Sequence, residues 1–384
     1  MYHTCLLDTD LYKLTQQMAV CRLYPRATAK YAFRCRSERL FPDGFAERLR
    51  EIVSLFKYRY LQDHEYEFLK KTCYYMDPVY LGFLKGYRYN PDEVTIKQDG
   101  SKISVVIEGL WHSVILWEVP LMAAISELFF EMTDERNRNE IHKAVEEKTR
   151  FKAEGLNKIG VQYSEFGTRR RYSYSVQCTV LENLMKHDNL VGTSNVHLAQ
   201  KYGLLPVGTV AHEFIMGHAA MFGYTVANRM SMEAWTSVFG GQLGIGLTDT
   251  FTTDAFFKDF DVKYAKLYDG IRQDSGDPLA FIDKAVAHYK KCRIDPASKV
   301  LLFSDGLNKL EQIADIHRKC QGQAIDRYGI GTWLTNDIGI PALNMVIKMV
   351  ECNGRPTVKL SDVPTKNTGS PEDIELCKKT LGVI

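Results

Sequence analysis

Seven loops between residues 165 and 337, six of them with glycine, contain hydroxyl, acidic, basic or imidazole side chains, groups that bind phosphates, sugars and carboxylates. Each loop follows a short apolar run with the length and composition of a buried strand. Because residues at the carboxyl ends of parallel strands point into one shared site, we expect these loops to meet at a single ligand. The loops are Glu165-Phe-Gly-Thr-Arg-Arg-Arg, Gly192-Thr-Ser-Asn, Gly208-Thr-Val-Ala-His-Glu, Leu247-Thr-Asp-Thr, Arg272-Gln-Asp-Ser-Gly-Asp-Pro, Phe303-Ser-Asp-Gly and Gly329-Ile-Gly-Thr.

The loop that begins at Arg272 is the most specific of them. It gathers a guanidinium, two carboxylates and the hydroxyl of Ser275 within a few residues. A carboxylate such as Asp274 can accept hydrogen bonds from ribose hydroxyls or hold Mg²⁺. The same segment also suits a helix start, with Asp277 as the N-cap and Pro278 at the first helical position. Both interpretations can hold, because the cap and the ligand contacts would use different residues.

His212 is the histidine of this set of loops. An imidazole can act as a base, a metal ligand or a phosphoryl acceptor, although a lone histidine is most often structural. A zinc-protease site is excluded by spacing, because His212 and His218 are six positions apart, roughly 240° around a helix. Asp249 is a candidate to orient the imidazole, although a helix-capping Asp would have the same sequence pattern, and Glu213 is a second candidate.

Two further loops carry groups suited to an anionic or flat ligand. Arg169 to Arg171 are three adjacent arginines, whose planar guanidinium groups match phosphate and carboxylate geometry. For two of the three, a solvated surface position is the expectation. Phe166 could stack on a flat ligand or belong to the core. Gly331 and Thr332 follow a short strand at a place where barrel enzymes often seat a phosphate, and a plain turn is the alternative.

The pattern of predicted strands and helices around these loops indicates an α/β protein. Short apolar strands alternate with amphipathic stretches of helical length from about residue 155 to 337, which indicates an irregular parallel α/β barrel, with a doubly wound sheet as the alternative. Before it we predict a helix capped by Asp10, a strand around Lys30–Arg36, charged helix in 43–72, a hairpin turning at Asp99-Gly100, a strand at Trp111–Trp117 and a helix from Pro120 to Phe130. After it we predict a strand from Met345 and a turn at Asn353-Gly354. The expected domains are an N-terminal α+β sandwich domain (1–135), a catalytic barrel (136–340) and a C-terminal segment (341–384) that returns to the first domain.

Composition narrows the class of protein. The chain has 384 residues, 45% of them hydrophobic and 25% charged, and a net charge of +2, so nothing in its overall charge favours nucleic acid or membrane binding. Its nine cysteines form no Cys-x-x-Cys pair, which predicts reduced thiols in a cytoplasmic protein. The acidic residues near the amino terminus do not suit a signal peptide, and no uninterrupted apolar run reaches the length of a membrane span.

Taken together, these loops and the segment Leu7-Asp-Thr-Asp-Leu-Tyr-Lys-Leu-Thr resemble the nicotinate phosphoribosyltransferase family in its shorter bacterial and fungal form. The resemblance implies an irregular, TIM-like α/β barrel of the type II phosphoribosyltransferases. Beside it would lie an α/β sandwich domain built from the N-terminal and C-terminal segments. It also implies a homodimer with shared active sites.

The resemblance further implies a reaction. Nicotinate and phosphoribosyl pyrophosphate would give nicotinate mononucleotide and pyrophosphate for NAD biosynthesis or salvage, with ATP as a co-substrate hydrolysed through a phosphohistidine. Mg²⁺ would accompany the pyrophosphate, with no direct metal site on the protein.

By motif position, the resemblance implies roles for particular residues. His212 would carry the phosphoryl group, with Asp249 and Glu213 as catalytic neighbours. Nicotinate would be bound by Tyr12, Phe166, Ser194, Thr209 and Arg272, and the phosphoribosyl group by Arg169, Asp274, Ser275, Asp305, Gly331 and Thr332. Tyr12 would stack on the pyridine ring opposite Phe166, from the same or the neighbouring subunit.

Ser194 bears on the choice of substrate. Relatives that use nicotinamide carry an Asp at this position, where a carboxylate would accept from the amide and repel the carboxylate of nicotinate. A neutral hydroxyl tolerates the acid, so we expect nicotinate to be preferred. The alternatives are a nicotinamide or quinolinate phosphoribosyltransferase, and a non-catalytic anion-binding protein on the same barrel.

Overall fold

The computed structural model describes residues 4–383 of the chain. Its strands are β1 (Thr28–Cys35), β2 (Val94–Asp99), β3 (Lys102–Leu110), β4 (Tyr163–Glu165), β5 (Leu190–Thr193), β6 (Leu205–Pro206), β7 (Ile245–Leu247), β8 (Gly270–Gln273), β9 (Val300–Phe303), β10 (Ile325–Ile330), β11 (Met345–Cys352) and β12 (Arg355–Pro356). The helices of the first half are α1 (Leu11–Leu23), α2 (Phe45–Ser54), α3 (Asp63–Thr72), α4 (Pro78–Gly86), α5 (Trp111–Val114), α6 (Glu118–Thr133), α7 (Arg138–Ile159), α8 (Tyr174–Leu184) and α9 (Val196–Tyr202). Those of the second half are α10 (His212–Phe222), α11 (Ala227–Phe239), α12 (Thr253–Asp259), α13 (Val262–Leu267), α14 (Pro278–Lys291), α15 (Leu310–Cys320), α16 (Thr332–Thr335) and α17 (Pro371–Leu381).

Packing divides the chain into two compact units. The first unit holds the residues up to Val207 together with Ile330–Lys348. The second unit holds Gly208–Gly329 together with the residues from Met349 onward. Each unit is therefore assembled from two separate stretches of sequence. The three predicted domains stay a prediction, since a packing unit and a domain that folds by itself need not coincide.

An antiparallel sheet lies in the first unit. Its strands lie in the order β1-β3-β2, with residues 345–348 of β11 beside β1. Thr28 lies opposite Leu110 in the pair β1–β3, and Asp99 lies opposite Lys102 in the pair β2–β3. The tight turn between β2 and β3 confirms the hairpin predicted at Asp99-Gly100, where Gly100 has a φ of 52°. Tyr31 and Phe33 face the core on alternate positions of β1, as the alternation in the sequence predicted.

The predicted strand at Trp111–Trp117 is wrong, because this stretch is helical. α5 and a 3-10 turn (Ile115–Trp117) run directly into α6, and the side chains of Trp111 and Trp117 are completely buried. A short apolar run that is buried on all sides has no periodicity that separates a strand from a helix. By length and composition the helical stretch Trp111–Thr133 could cross a membrane, with a mean hydropathy of 1.6, although Glu118 and Glu127 interrupt its apolar run. However, 94% of its apolar window is buried within the protein, so it is a core helix.

Parallel strands carry the predicted loops in both units. In the first unit the order is β6-β5-β4, and in the second it is β10-β9-β8-β7. Helices separate successive strands along the chain, as right-handed parallel connections require. A mixed α/β fold with parallel strands and a separate antiparallel sheet confirms the predicted fold class.

Several local predictions are also confirmed. Asp277 accepts a hydrogen bond from the amide of Leu279 at 2.9 Å and Pro278 opens α14, as expected of an N-cap followed by proline. β11 begins at Met345, and the turn to β12 contains Asn353 and Gly354, with φ of 49° and 72°. Asp10 occupies the N-cap position of α1, but its side chain makes no capping hydrogen bond and has a different partner, Ser194.

Candidate functional site

The register of three strands in the second unit brings their following loops together. Leu247 of β7 pairs with Arg272 of β8, which pairs with Leu302 of β9. Parallel strands in this register end at the same edge of the sheet. The side chains that follow β7, β8 and β9 therefore lie at one edge of the sheet, as we predicted from the sequence.

Arg272 is the centre of the hydrogen bonds at this edge. Its Nη1 donates to Oγ1 of Thr209 at 2.9 Å, its Nε donates to Oγ of Ser304 at 2.7 Å, and its Nη2 donates to Oδ1 of Asp274 at 2.9 Å. Oγ of Ser304 in turn donates to the same carboxylate oxygen at 2.7 Å. Three loops thus fix one largely buried guanidinium, which gives its plane a defined orientation.

His212 is the first residue of α10 and is buried. Its Nδ1 lies 3.0 Å from Oγ1 of Thr250, and its Nε2 lies 3.1 Å from Oδ2 of Asp274. The amino end of an α-helix carries partial positive charge, which disfavours a protonated imidazole and favours a bound anion. Burial and the charge of Lys359 lower the pKa of His212 to about 4, so the imidazole is neutral near pH 7.

Lys359 completes this cluster, and the sequence analysis missed it. Its Nζ lies 3.0 Å from Nε2 of His212 and 2.9 Å from Oδ2 of Asp249, and the side chain is buried. The residue precedes α17 and lies about 147 positions from His212 along the chain. Since no glycine-rich loop or strand repeat marks its position, only the folded chain could identify it.

The two carboxylates of the cluster are ionised. Burial acts to raise the pKa of Asp274, but Arg272 and His212, with a smaller effect of Lys359, hold it well below its usual range. Burial likewise opposes ionisation of Asp249, while His212 and then Lys359 favour it, and the net effect lowers its pKa. Two anions, two cations and one neutral imidazole therefore balance in charge within a few ångströms.

The remaining predicted residues of this unit differ in their distance from His212. Oδ1 of Asp249 lies 3.6 Å from Nε2 of His212, and Oγ of Ser275 donates to Oδ2 of the same aspartate at 2.6 Å. Glu213 is buried in the first turn of α10. Asp305 instead forms an ion pair with Nζ of Lys366 at 2.6 Å. The contacts of His212 thus favour Asp249 and Asp274 over Glu213 as its neighbours.

A second group of predicted residues lies in the first unit, around the start of α1. Tyr12 is 9% exposed, and the guanidinium carbon of Arg169 lies 5.9 Å from its ring centroid. Oγ of Ser194 donates to Oδ1 of the buried Asp10 at 2.7 Å, and Oδ2 of that aspartate lies 3.8 Å from Nε of Arg169. Burial raises the pKa of Asp10, and Arg169 opposes that shift. The hydroxyl hydrogen of Ser194 is therefore directed to a protein carboxyl group.

The expectation that two of the three adjacent arginines are solvated is wrong. Arg171 is completely buried and makes a bidentate pair with Asp8, with distances of 2.8 and 2.9 Å. Arg169 and Arg170 are only partly exposed, and Nε of Arg170 donates to the carbonyl oxygen of Met345 at 2.9 Å. A buried guanidinium is stable here because a fully buried carboxylate satisfies it. A run of charges in the sequence does not reveal such a partner 163 positions away.

Phe166 and the loop at Gly331 lie against each other in the first unit. The amide of Phe166 donates to the carbonyl oxygen of Ile330 at 2.8 Å, and a Cβ on Gly331 would lie 3.2 Å from the carbonyl oxygen of Phe166. Gly167 is packed still more closely, since a Cβ there would lie 2.2 Å from Oγ1 of Thr335. Thr332 opens α16 and is partly exposed. The structure thus brings Phe166 next to the predicted phosphate loop.

Comparison with known proteins gives the same assignment across the chain. The nicotinate phosphoribosyltransferase (NAPRTase) family matches residues 161–383, and the N-terminal domain of that family matches residues 7–126. The chain is 49% identical to a nicotinate phosphoribosyltransferase of Chromohalobacter salexigens and 44% identical to one of Methanosarcina acetivorans, in each case over 98% of both chains.

Solved structures agree with the sequence matches. A crystal structure of nicotinate phosphoribosyltransferase from Porphyromonas gingivalis superposes with a TM-score of 0.95 at 42% identity, covering 98% of this chain and 99% of that one. A second structure of this name, from Vibrio cholerae, has a TM-score of 0.94 at 32% identity and covers 99% of this chain and 94% of that one. The arrangement of strands, loops and buried residues described above is therefore that of a member of the nicotinate phosphoribosyltransferase family.

Proposed function

We propose that this chain transfers the phosphoribosyl group of phosphoribosyl pyrophosphate to nicotinate and couples the reaction to ATP through His212. The pyridine nitrogen would form the bond to the anomeric carbon while the bond from that carbon to pyrophosphate breaks, giving nicotinate mononucleotide and pyrophosphate. Membership of the family supports the reaction. The position of His212 supports the ATP step, because a neutral imidazole lies at the start of α10 between Asp274 and Lys359.

The hydrogen bonds of His212 favour Nε2 as the nucleophile. Lys359 can only donate a hydrogen bond and the carboxylate of Asp274 can only accept one, so the two compete for Nε2. The hydroxyl of Thr250 can do either, so it would accept a hydrogen bond from a protonated Nδ1. With the proton there, Nε2 keeps its lone pair, which accepts from Lys359 and, once that hydrogen bond is released, would attack the terminal phosphorus of ATP as the bond to ADP breaks. Water would later cleave the nitrogen–phosphorus bond and release phosphate.

Arg272 and Asp274 are suited to the other substrates. A guanidinium held by Thr209, Ser304 and Asp274 can offer its remaining donors to the carboxylate of nicotinate. The transition state of glycosyl transfer develops positive charge at the anomeric carbon, which a nearby ionised carboxylate such as Asp274 stabilises. Phe166 and Tyr12 would supply aromatic faces for the pyridine ring, and Arg169 with the loop at Gly331 would supply phosphate contacts.

We expect Mg²⁺ to bind the pyrophosphate group of the substrate rather than the cluster of His212, Asp249 and Asp274. His212, Asp249 and Asp274 present ligand atoms within 4.8 Å of one another, which by itself would suit a metal. However, Nζ of Lys359 lies 3.0 Å from His212 and 2.9 Å from Asp249, so a cation of the protein already balances these ligands. We therefore propose that Mg²⁺ enters with phosphoribosyl pyrophosphate, and that Mg²⁺ binding to the protein alone is weak.

The proposal also covers the oligomeric state of the protein and its cellular compartment. We infer a homodimer with shared active sites in the cytoplasm, as the sequence predicted. The nine cysteines support a reducing compartment, because among the described residues all of them are free thiols.

Three measurements test the function. Purified protein should release pyrophosphate from phosphoribosyl pyrophosphate when nicotinate is present. Labelled ATP should transfer an acid-labile phosphate to the protein, and His212→Asn should abolish this transfer. Labelling that persists in His212→Asn would assign the phosphoryl group to another residue.

Initial rates should be higher with nicotinate than with nicotinamide, and the opposite order would overturn the substrate assignment.

A further inference from the structure

We propose that Cys5, Glu65 and His197 form a site for one zinc ion in the first unit, separate from the residues assigned above. One ligand atom from each of the three lies within 4.8 Å of the other two. Glu65 is buried, and Cys5 and His197 are partly buried. The proposal does not depend on the proposed reaction.

Three different elements bring these side chains together. Cys5 lies in the segment before α1, Glu65 in the first turn of α3, and His197 in the first turn of α9. The amide of His197 donates to the carbonyl oxygen of Leu7 at 2.8 Å, which holds the amino-terminal segment against α9. The backbone alone therefore fixes the approach of two of the three ligands.

The donor set is one that zinc prefers among the divalent metals of cells. A thiolate, an imidazole and a carboxylate are all common zinc ligands, whereas Mg²⁺ and Ca²⁺ bind oxygen. Two ligands on one zinc ion lie about 3.5 Å apart, given zinc–sulfur and zinc–nitrogen bonds of roughly 2.3 and 2.0 Å. The ligand atoms, now within 4.8 Å of one another, would approach to about that separation when zinc binds. Three protein ligands leave a fourth position for water.

The charges around the cluster leave room for a cation. The nearby carboxylate of Asp8 is already paired with Arg171, at 2.8 Å. Oε2 of Glu65 accepts a hydrogen bond from the amide of Gln62 at 2.9 Å, in the capping box at the start of α3. A carboxylate has two oxygens, so this contact leaves the other one for a metal ion.

Zinc binds the thiolate form of cysteine, so binding at this site would displace the thiol proton of Cys5. The affinity for zinc should therefore be pH-dependent.

Tyr174 supplies an outer hydrogen bond. Its hydroxyl lies 3.0 Å from Nε2 of His197. Histidines that bind metal through one ring nitrogen usually have a hydrogen-bond partner at the other, which sets the tautomer and the orientation of the ring. We assign Nδ1 as the zinc ligand on this basis. Zinc would then join the amino-terminal segment to α3 and α9, a few residues before Asp10 and Tyr12.

Metal binding to the full-length chain tests the site directly. We expect one Zn²⁺ per chain in competition with a chromophoric chelator, release of a proton on binding, and a sulfur-to-metal absorption band with Co²⁺. Cys5→Ala should abolish the band, and Glu65→Gln and His197→Asn should each weaken binding by more than the roughly 10- to 100-fold that an outer partner contributes. Tyr174→Phe should weaken binding within that range.

Matched controls separate this site from other thiols and from the His212 cluster. Cys21→Ala removes a partly buried thiol on α1 outside the cluster and should bind zinc like the unmodified chain. Thermal unfolding of each metal-free variant shows whether it is folded. Equal affinity in Cys5→Ala and the unmodified chain, absence of stoichiometric binding, or binding that is lost only in His212→Asn would each overturn the proposal.

Discussion

At the scale of single residues, the chemistry of His212 depends on neighbours that are distant in sequence. Thr250, Asp274 and Lys359 each approach one of its ring nitrogens within 3.1 Å. Burial lowers its pKa, and Lys359 adds to that effect. A neutral imidazole is a nucleophile, so the same contacts that prevent protonation prepare His212 to accept a phosphoryl group.

Replacing Lys359 should change how phosphorylation of His212 depends on pH. In the unmodified chain, the phosphoenzyme should form at a constant rate as the pH falls, until it declines near the pKa of about 4. Lys359→Met removes a charge that lowers this pKa, so the decline should move to higher pH. The measurement is the initial rate of phosphoenzyme formation from labelled ATP between pH 4 and 8.

Lys359→Arg is the matched control, because it keeps the positive charge and should keep the decline near its original pH. An unchanged pH profile in Lys359→Met would show that this lysine does not set the ionisation of His212. Circular dichroism and thermal unfolding identify any variant that has lost its fold, since Lys359→Met also leaves Asp249 with one cation fewer.

At the scale of elements, helix α10 contains a second titratable group buried in an apolar environment. His218 is completely buried, its Nδ1 lies 2.7 Å from the carbonyl oxygen of Phe214, and its ring lies 4.6 Å from that of the same phenylalanine. Burial lowers its pKa to about 4. The helix therefore excludes the charged form of this side chain, and folding becomes linked to pH.

The stability of the second unit should fall as the pH falls from about 6.5 to 4. In that range the unfolded chain binds a proton at His218 that the folded chain rejects, so acid favours unfolding, and the loss is complete below the folded pKa. For a shift of this size the contribution of His218 is about 3 kcal/mol. Urea unfolding at a series of pH values measures the dependence. His218→Gln should reduce the dependence by that amount and leave the part that comes from His212, whose pKa is also lowered to about 4, whereas His142→Gln, at an exposed position of α7, should leave it unchanged.

Close packing between a loop and a helix gives a second prediction at this scale. Gly167→Ala would place a Cβ 2.2 Å from Oγ1 of Thr335 in α16, so the loop that carries Phe166 must move. We expect a destabilisation of roughly 1–3 kcal/mol in denaturant unfolding. The same change made in a Thr335→Gly background should cost much less, because the clashing atoms are gone.

Gly82→Ala provides the control for that experiment. Gly82 lies in α4 with no heavy atom within 4 Å of the added Cβ, so the change should be neutral or slightly stabilising. Equal costs of Gly167→Ala in the two backgrounds would mean that contact with Thr335 does not determine the position of the loop.

At the scale of the whole molecule, the residues assigned to one reaction are divided between two packing units. Tyr12, Phe166, Arg169 and Ser194 belong to the first, and Thr209, His212, Arg272 and Asp274 belong to the second. We propose that the homodimer shares its active sites between chains, so that a residue of one chain can complete the site of the other.

Mixing two inactive variants tests the sharing of active sites. If Tyr12 completes the site of the neighbouring subunit, a heterodimer of Tyr12→Ala and His212→Asn contains one intact site. Random exchange of subunits should then restore about a quarter of the unmodified activity. If each site uses its own Tyr12, every site keeps one defect and the mixture stays inactive. Pyrophosphate release after exchange of subunits is the measurement, and each variant incubated alone is the control.

Much of the fold was predictable from the sequence, because local patterns specify local structure. Alternation identified β1, turn residues identified the hairpin at Gly100, and Asp277 with Pro278 identified the start of α14. The glycine-containing loops were identified for the same reason, since each follows a short apolar strand. The stretch Trp111–Trp117 was predicted incorrectly because complete burial erases the periodicity that separates a helix from a strand.

Tertiary structure alone decided which charged groups meet. Lys359 contacts His212, Asp8 pairs with Arg171, and Asp10 accepts the hydrogen bond of Ser194, across 147, 163 and 184 positions of sequence. The amino-acid sequence determined which groups are available and the family to which the chain belongs. The pairing of those groups, and with it the pKa of His212, depends on burial and on distances of about 3 Å, which exist only once the chain has folded.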